Sequence, residues 1–239
     1  MDKLSKLDTW EHHNTYETLD LELEEFFSDL PQRTHREEML NAWSHGLIAI
    51  AAVFGSFYLM YCALDSGKMY AVESAFVYGI SLILLFGASA LYHGATNPSL
   101  KKKMRILDHC AIFFFIAGNY TPLLLLTVGG ETGWSLLYLQ WSAAFIGILL
   151  KIRFTGKYDW MFIVLFVTMA WGGVAQGDFL YQTLPSAAIN WLIIGGIVYM
   201  LGIFFYKSEE RIPYAHLIWH LFVIGGALIH YTIMVQYVF

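Results

Sequence analysis

Long apolar runs alternate with short polar breaks over most of this chain. Seven runs stand out, at residues 40–63, 73–95, 106–128, 133–151, 159–176, 187–206 and 214–237. Each is near the roughly 20 residues that a helix needs to cross a bilayer. The pattern predicts an all-α membrane protein, a bundle of seven transmembrane helices. The fifth run is the shortest, and its Gly172, Gly173 and Gln176 either line the bundle or mark its outer end. In the third run, Asn119-Tyr120-Thr121-Pro122 predicts a kink, because Pro122 removes one helix hydrogen bond.

Composition agrees with this pattern. Of 239 residues, 57% are hydrophobic and 14% charged, whereas soluble domains carry about 25% charged residues. Mean hydropathy is +0.52. The net charge of −5 is unevenly spread. Residues 1–39 hold 4 Lys/Arg against 11 Asp/Glu, a net of −7, and residues 40–239 hold 10 against 8, a net of +2. The expected organisation is an acidic tail, 1–39, before a seven-transmembrane domain, 40–239. The tail's Leu19, Leu21, Leu23, Phe26, Phe27 and Leu30 are compatible with a short surface helix; a disordered acidic tail is the alternative. No cleavable leader is expected, since the tail lacks an apolar stretch. A basic footprint for nucleic acid is absent.

Loop charge sets the expected orientation. Lys101, Lys102, Lys103 and Arg105 follow the second run, Lys151, Arg153 and Lys157 edge the loop after the fourth, and Lys207 and Arg211 follow the sixth. The intervening loops hold only Lys68. Alternate loops are basic and should be cytoplasmic, which places the N-terminus inside and the C-terminus outside. Cys62 and Cys110 then lie at opposite membrane ends and do not pair. Trp43, Trp134, Trp160 and Trp219 fall near run ends, as interfacial belts predict. Gly195-Gly196 and Gly225-Gly226 suggest close helix packing.

This topology brings distant residues to one depth. His93 ends the second run, Asp108 and His109 open the third, and His216 and His220 open the last. Asn41, Ser44 and His45 open the first. His216 and His220 are four residues apart and share a helix face, as do Ser89 and His93. Imidazole is costly in lipid without a partner. His93, His216 and His220 suit zinc, with water as the fourth ligand. Asp108 reads as the acid deep enough to orient a histidine or hold the water. Ser89 either contributes a hydroxyl there or eases helix packing. His45 is a boundary, packing or pocket residue. His109 points about 100° away from Asp108 around the helix. His230 lies about 15 Å beyond His220 along its helix, too far to share an ion.

Four motifs carry a resemblance to a known family: Glu38-Met39-Leu40-Asn41-Ala42-Trp43-Ser44-His45-Gly46; Ser89-Ala90-Leu91-Tyr92-His93; Asp108 with Ile116-Ala117-Gly118-Asn119-Tyr120-Thr121-Pro122; and His216-Leu217-Ile218-Trp219-His220-Leu221-Phe222-Val223. Over residues 37–236 the chain resembles the hemolysin III family, which belongs with the progestin and adipoQ receptors and the alkaline ceramidases. Asn119 stands where a Ser or Thr is expected. The resemblance implies a seven-helix zinc protein with a cytoplasmic N-terminus. His93, His216 and His220 would be its ligands, with Ser89 and Asp108 as polar neighbours. Bacterial members imply a multi-pass protein of the bacterial cytoplasmic membrane.

The expected function is a zinc-dependent intramembrane hydrolase acting on a lipid amide such as a ceramide, with a part in membrane lipid homeostasis. Bound zinc makes a water nucleophilic at neutral pH. Asp108 would take or position its proton, and Ser89 would donate to the developing oxyanion. Membrane lipids are the expected partners, with a lipid substrate or ligand in the bundle cavity. The alternatives are a sensor or receptor-like protein with structural zinc, and a pore-forming hemolysin.

Overall fold

Helices account for every regular element among residues 30–172 and 177–239, which the computed structural model describes. Helix α1 runs His35–Ser66, α2 Ala71–Gly94 and α3 Pro98–Pro122. Then follow α4 Gly130–Phe154, α5 Asp159–Trp171, α6 Gly177–Thr183, α7 Ser186–Lys207 and α8 Ala215–Ile233. The apolar series from Leu19 to Phe27, and Gly173 and Gln176, lie outside the described residues.

Among the described residues, six helical segments are long and apolar enough to cross a membrane: α1, α2, α3 extended to Val128, α4, α7, and α8 extended to Val238. The fifth predicted run corresponds to α5, a shorter apolar helix of 13 residues. At 1.5 Å per residue it reaches about 20 Å, short of a bilayer core of about 30 Å.

Local chemistry explains where the helices start. α1 begins five residues before its apolar run because Thr34 and Glu37 form a capping box. Thr34 Oγ1 accepts from the Glu37 amide at 3.2 Å, and Glu37 Oε2 accepts from the Thr34 amide at 2.9 Å. This satisfies donors that a helix N-terminus leaves over. It also moves Glu37 and Glu38 from the predicted tail onto the first turn of a membrane helix. Asn97 caps α3 by accepting from the Leu100 amide, with Pro98 in the first helical position. The kink expected at Pro122 takes the form of a switch to a π-helical stretch, Leu123–Val128.

Charge placement departs from the loop reading at Lys151. It was expected at a loop edge, but α4 continues to Phe154 and Lys151 is only 1% exposed. Its Nζ lies 3.1 Å from Asp159 Oδ1 and 4.1 Å from the centroid of the Phe162 ring. The pair joins α4 to the start of α5. Lys68 Nζ donates to the Val238 carbonyl at 2.7 Å, meeting an acceptor at the end of the last helix.

The core lies between α2, α3, α7 and α8, around Tyr78, Phe86, Phe115, Ile189 and Val223. Outward faces of α1, α4 and α7 remain apolar, as with Phe54, Phe57, Phe145 and Phe204. Exposed apolar surface of this kind suits lipid rather than water. The glycines of α7 and α8 do permit close approach: a Cβ on Gly226 would meet the Tyr199 ring at 2.7 Å. Trp43 and Trp160 are exposed, as belt residues should be. Trp219 packs on α7 instead, its ring 2.7 Å from where a Cβ on Gly202 would sit.

Candidate metal centre

The end of α2 and the start of α8 meet. His93, His216 and His220 each offer a ring nitrogen, and these atoms all lie within 4.8 Å of one another. Ring centroids are 5.0 Å apart for His93–His216 and His93–His220, and 4.8 Å for His216–His220. All three residues are buried or nearly so. Among the described residues, this is the group of histidines, cysteines and acids assembled closely enough to hold an ion.

Each ring is held from behind by an oxygen. His93 Nδ1 is 2.7 Å from Glu38 Oε2, His216 Nδ1 is 3.0 Å from Glu209 Oε2, and His220 Nδ1 is 2.9 Å from Ser44 Oγ. Donor accounting then fixes the tautomers. An ionised carboxylate only accepts, so His93 and His216 donate through Nδ1. The Ser44 hydroxyl gives its one proton to the Asn41 carbonyl at 2.8 Å. It therefore accepts from His220 Nδ1. In the neutral imidazole this arrangement leaves Nε2 of each ring as the lone-pair nitrogen, the atom that could ligate a metal.

The same contacts assemble the site. Glu38 Oε2 also lies 3.2 Å from Lys101 Nζ, so one carboxylate joins α1, the end of α2 and the start of α3. Its neighbour Glu37 accepts from the Tyr214 amide at 3.1 Å through Oε1, anchoring the turn that opens α8. Tyr214 has a positive φ of 58°, a strained conformation for a non-glycine residue. His45 lies flat on His220, with ring centroids 3.6 Å apart and planes within 9°. Its other side meets the edge of Phe86. Among the described residues, neither His45 ring nitrogen, nor either side-chain polar atom of the fully buried Asn41, has a hydrogen-bond partner.

The sequence placed the three histidines correctly at one end of the bundle. It named Asp108 as the acid beside them; two further acids, Glu38 and Glu209, are bonded to imidazole, at His93 and His216. Asp108 Oδ2 lies 3.8 Å from His109 Nδ1, while His109 Nδ1 itself donates to the Arg105 carbonyl at 2.6 Å. Ser89 is buried one turn before His93 on α2. Glu38 was missed because α1 begins before the apolar run, although Glu38, Asn41 and His45 already fall at helical spacing. Glu209 had no periodic signal, since it sits in the turn before α8.

The chain is similar to several known proteins. The model of the family described as Haemolysin-III related matches residues 33–231. Hemolysin-3 of Bacillus cereus is 37% identical over 203 residues, covering 85% of this chain and 92% of that protein. The Hemolysin-3 homolog of Bacillus subtilis is 36% identical over 194 residues, covering 81% and 91%. The human Monocyte to macrophage differentiation factor is 29% identical over 210 residues, covering 85% of each chain.

Proposed function

This chain belongs to the Haemolysin-III related family of integral, multi-pass membrane proteins, and from that premise we propose that it is a zinc-dependent intramembrane hydrolase acting on an amide-linked lipid. The observation that carries the reading is the arrangement of His93, His216 and His220, each with Nδ1 bonded to an oxygen. The donor set fits zinc: three neutral imidazoles with carboxylates behind two of them, in a buried setting. A group of three rather than four protein ligands suits catalysis better than a closed structural site.

When bound, zinc supplies a nucleophile at neutral pH. The chain's own residues do the rest. The partners Glu38, Glu209 and Ser44 hold the rings in one tautomer and one orientation. Asp108 accepts or positions a proton, and Ser89 donates a hydrogen bond to the oxygen that gains charge. A lipid substrate enters from the bilayer, and the reaction serves membrane lipid homeostasis. The proposal includes a seventh span that begins with α5, a cytoplasmic N-terminus and an external C-terminus. A bacterial cytoplasmic membrane fits the Bacillus relatives.

The test is purified, zinc-loaded protein incubated with a panel of lipid amides, including ceramide, and read by mass spectrometry. Release of a fatty acid, lost in Asp108→Ala, is expected. No turnover by the unsubstituted protein, or equal turnover by Asp108→Ala, overturns the hydrolase reading.

A second reading has zinc as a staple in a sensor-like protein, favoured by the way Glu38 and Ser44 tie α1 to ligands on α2 and α8. Under it, His216→Ala lowers thermal stability and no lipid amide is turned over. The name of the Bacillus cereus relative raises a pore-forming reading as well, which liposome conductance with the purified protein tests directly.

A further inference from the structure

The three candidate ligands are held in different ways. His93 and His216 each donate to a carboxylate, whereas His220 donates to the neutral hydroxyl of Ser44. A charge-assisted hydrogen bond is about twice as strong as a neutral one. A single bond at Nδ1 also sets the tilt of an imidazole only loosely, because histidine χ2 is a broad torsion rather than a staggered one. His220 carries a different support. The ring of His45 covers its face, with centroids 3.6 Å apart and planes within 9° of parallel. By contrast, Tyr92 meets His93 at 53° and Tyr206 meets His216 at 51°.

The support is itself buttressed. Phe86 meets His45 edge-on, with centroids 5.0 Å apart and planes at 85°. Phe86, His45 and His220 are all buried. Ser44 and His45 are adjacent on α1, so one dipeptide holds the His220 ring by its edge and by its face. Phe86 stands two turns before His93 on α2, so the helix that carries one ligand backs the ring that supports another. We propose that His45 is a positioning residue for the metal centre: laid on the face of His220, it fixes the plane of that ligand. The proposal rests on the reading of His93, His216 and His220 as metal ligands.

Two consequences of the geometry separate this role from its rivals. A ring nitrogen binds an ion in the plane of its own ring. His45 lies parallel to His220 and one ring thickness away, so an ion in the plane of His220 is out of the plane of His45. The stack therefore makes His45 the support of a ligand and not a fourth ligand. Near-complete overlap is also not the arrangement that two aromatic rings prefer by themselves, since their negative faces meet. A cation on His220 Nε2 draws charge out of that ring, and an aromatic face laid on it is then attracted. The stack thus contributes more to metal binding than to the metal-free fold.

The test uses the full chain in detergent. Zinc affinity is read by chelator competition, ligand geometry by the visible spectrum of the cobalt(II)-loaded protein, and folding by the metal-free unfolding midpoint. His45→Leu keeps apolar bulk without a flat face. His45→Phe keeps a flat face without ring nitrogens. The leucine variant should bind zinc about 10-fold more weakly and show altered cobalt bands. The phenylalanine variant should stay within about 3-fold of the unsubstituted protein and keep its bands. Unchanged affinity in His45→Leu overturns the proposal, including the case in which stability falls equally with and without metal, the mark of plain packing. Equal weakening in both variants also overturns it, because the nitrogens rather than the face would then carry the effect. If His45→Phe lowers the metal-free midpoint, its ring is too large for the slot, and His45→Gln, a smaller planar side chain, takes its place in the comparison. An unsubstituted protein that takes up neither zinc nor cobalt ends the metal reading itself and this proposal with it, and is recognised without any variant.

Discussion

Glu38 grips His93: Oε2 of the acid lies 2.7 Å from Nδ1 of the ring, with Lys101 Nζ 3.2 Å from the same oxygen. A carboxylate in this position orients the imidazole and raises its basicity toward a metal. The lysine holds the carboxylate in place. One carboxylate, through two contacts, thus joins His93 on α2 to α1 and α3.

Glu38→Gln keeps the shape but removes the charge, and Glu38→Ala removes both. Zinc affinity should fall about 10-fold in the first and about 100-fold in the second, the range expected for partners of metal-bound histidines. Competition with a chromophoric chelator measures this on purified protein. Unchanged affinity in Glu38→Ala would mean that the contact does not hold the ligand.

Metal removal should loosen the bundle. A ligand present at about 1,000 times its Kd stabilises by about 4 kcal/mol. For a chain of this size, each kcal/mol shifts the unfolding midpoint by about 2–4 °C. Chelation should therefore lower the midpoint by roughly 10 °C, and His216→Ala or His220→Ala should abolish that sensitivity. An unsubstituted protein that melts identically with and without chelator contradicts a bound metal that bridges α2 and α8.

Why the histidines were legible and their partners were not follows from how each signal arises. His216 and His220 are i and i+4 on one helix, so spacing alone gives them a common face. His93 joined them through topology, which hydropathy and loop charge reveal without any contact being known. Glu38 hid in an acidic stretch that reads as tail, because a capping box rather than hydrophobicity starts α1. Glu209 is placed by a turn, and turns carry no period. Lys151 failed in the opposite direction: a lysine near a run's end reads as a loop charge unless its partner, eight residues on, is already known to fold back. Among the described residues α5 covers 13 residues, to Trp171, where apolar composition alone suggested a run to residue 176.

The Lys151–Asp159 pair should behave as a clamp between α4 and α5. Lys151 is 1% exposed and Asp159 about one-third exposed at their side chains. Asp159→Ala strands a buried ammonium and should cost roughly 2–4 kcal/mol, below the figure for a fully buried pair. Lys151→Met in the Asp159→Ala background should recover most of that loss, since Met fills the slot against Phe162 without charge. Thermal unfolding of the two single variants and the double variant gives the coupling. Strict additivity would remove the clamp.

Glu37 separates capping from site assembly. Its side chain closes the α1 capping box through Oε2 and also accepts from the Tyr214 amide through Oε1. Thr34→Ala removes the threonine half of the box and leaves the Tyr214 contact, so it should cost about 1 kcal/mol and leave zinc affinity unchanged. Glu37→Ala removes both. It should cost about 2 kcal/mol and also weaken zinc binding, because Tyr214 directly precedes the helix that carries His216 and His220 and holds a conformation that needs support. The comparison rests on stability and chelator competition measured on the same two variants. If both lose stability while neither changes affinity, the Glu37–Tyr214 contact serves the helix ends alone. If Thr34→Ala weakens the metal as much as Glu37→Ala does, the start of α1 positions the site as a whole, and Tyr214 has no separate part in it.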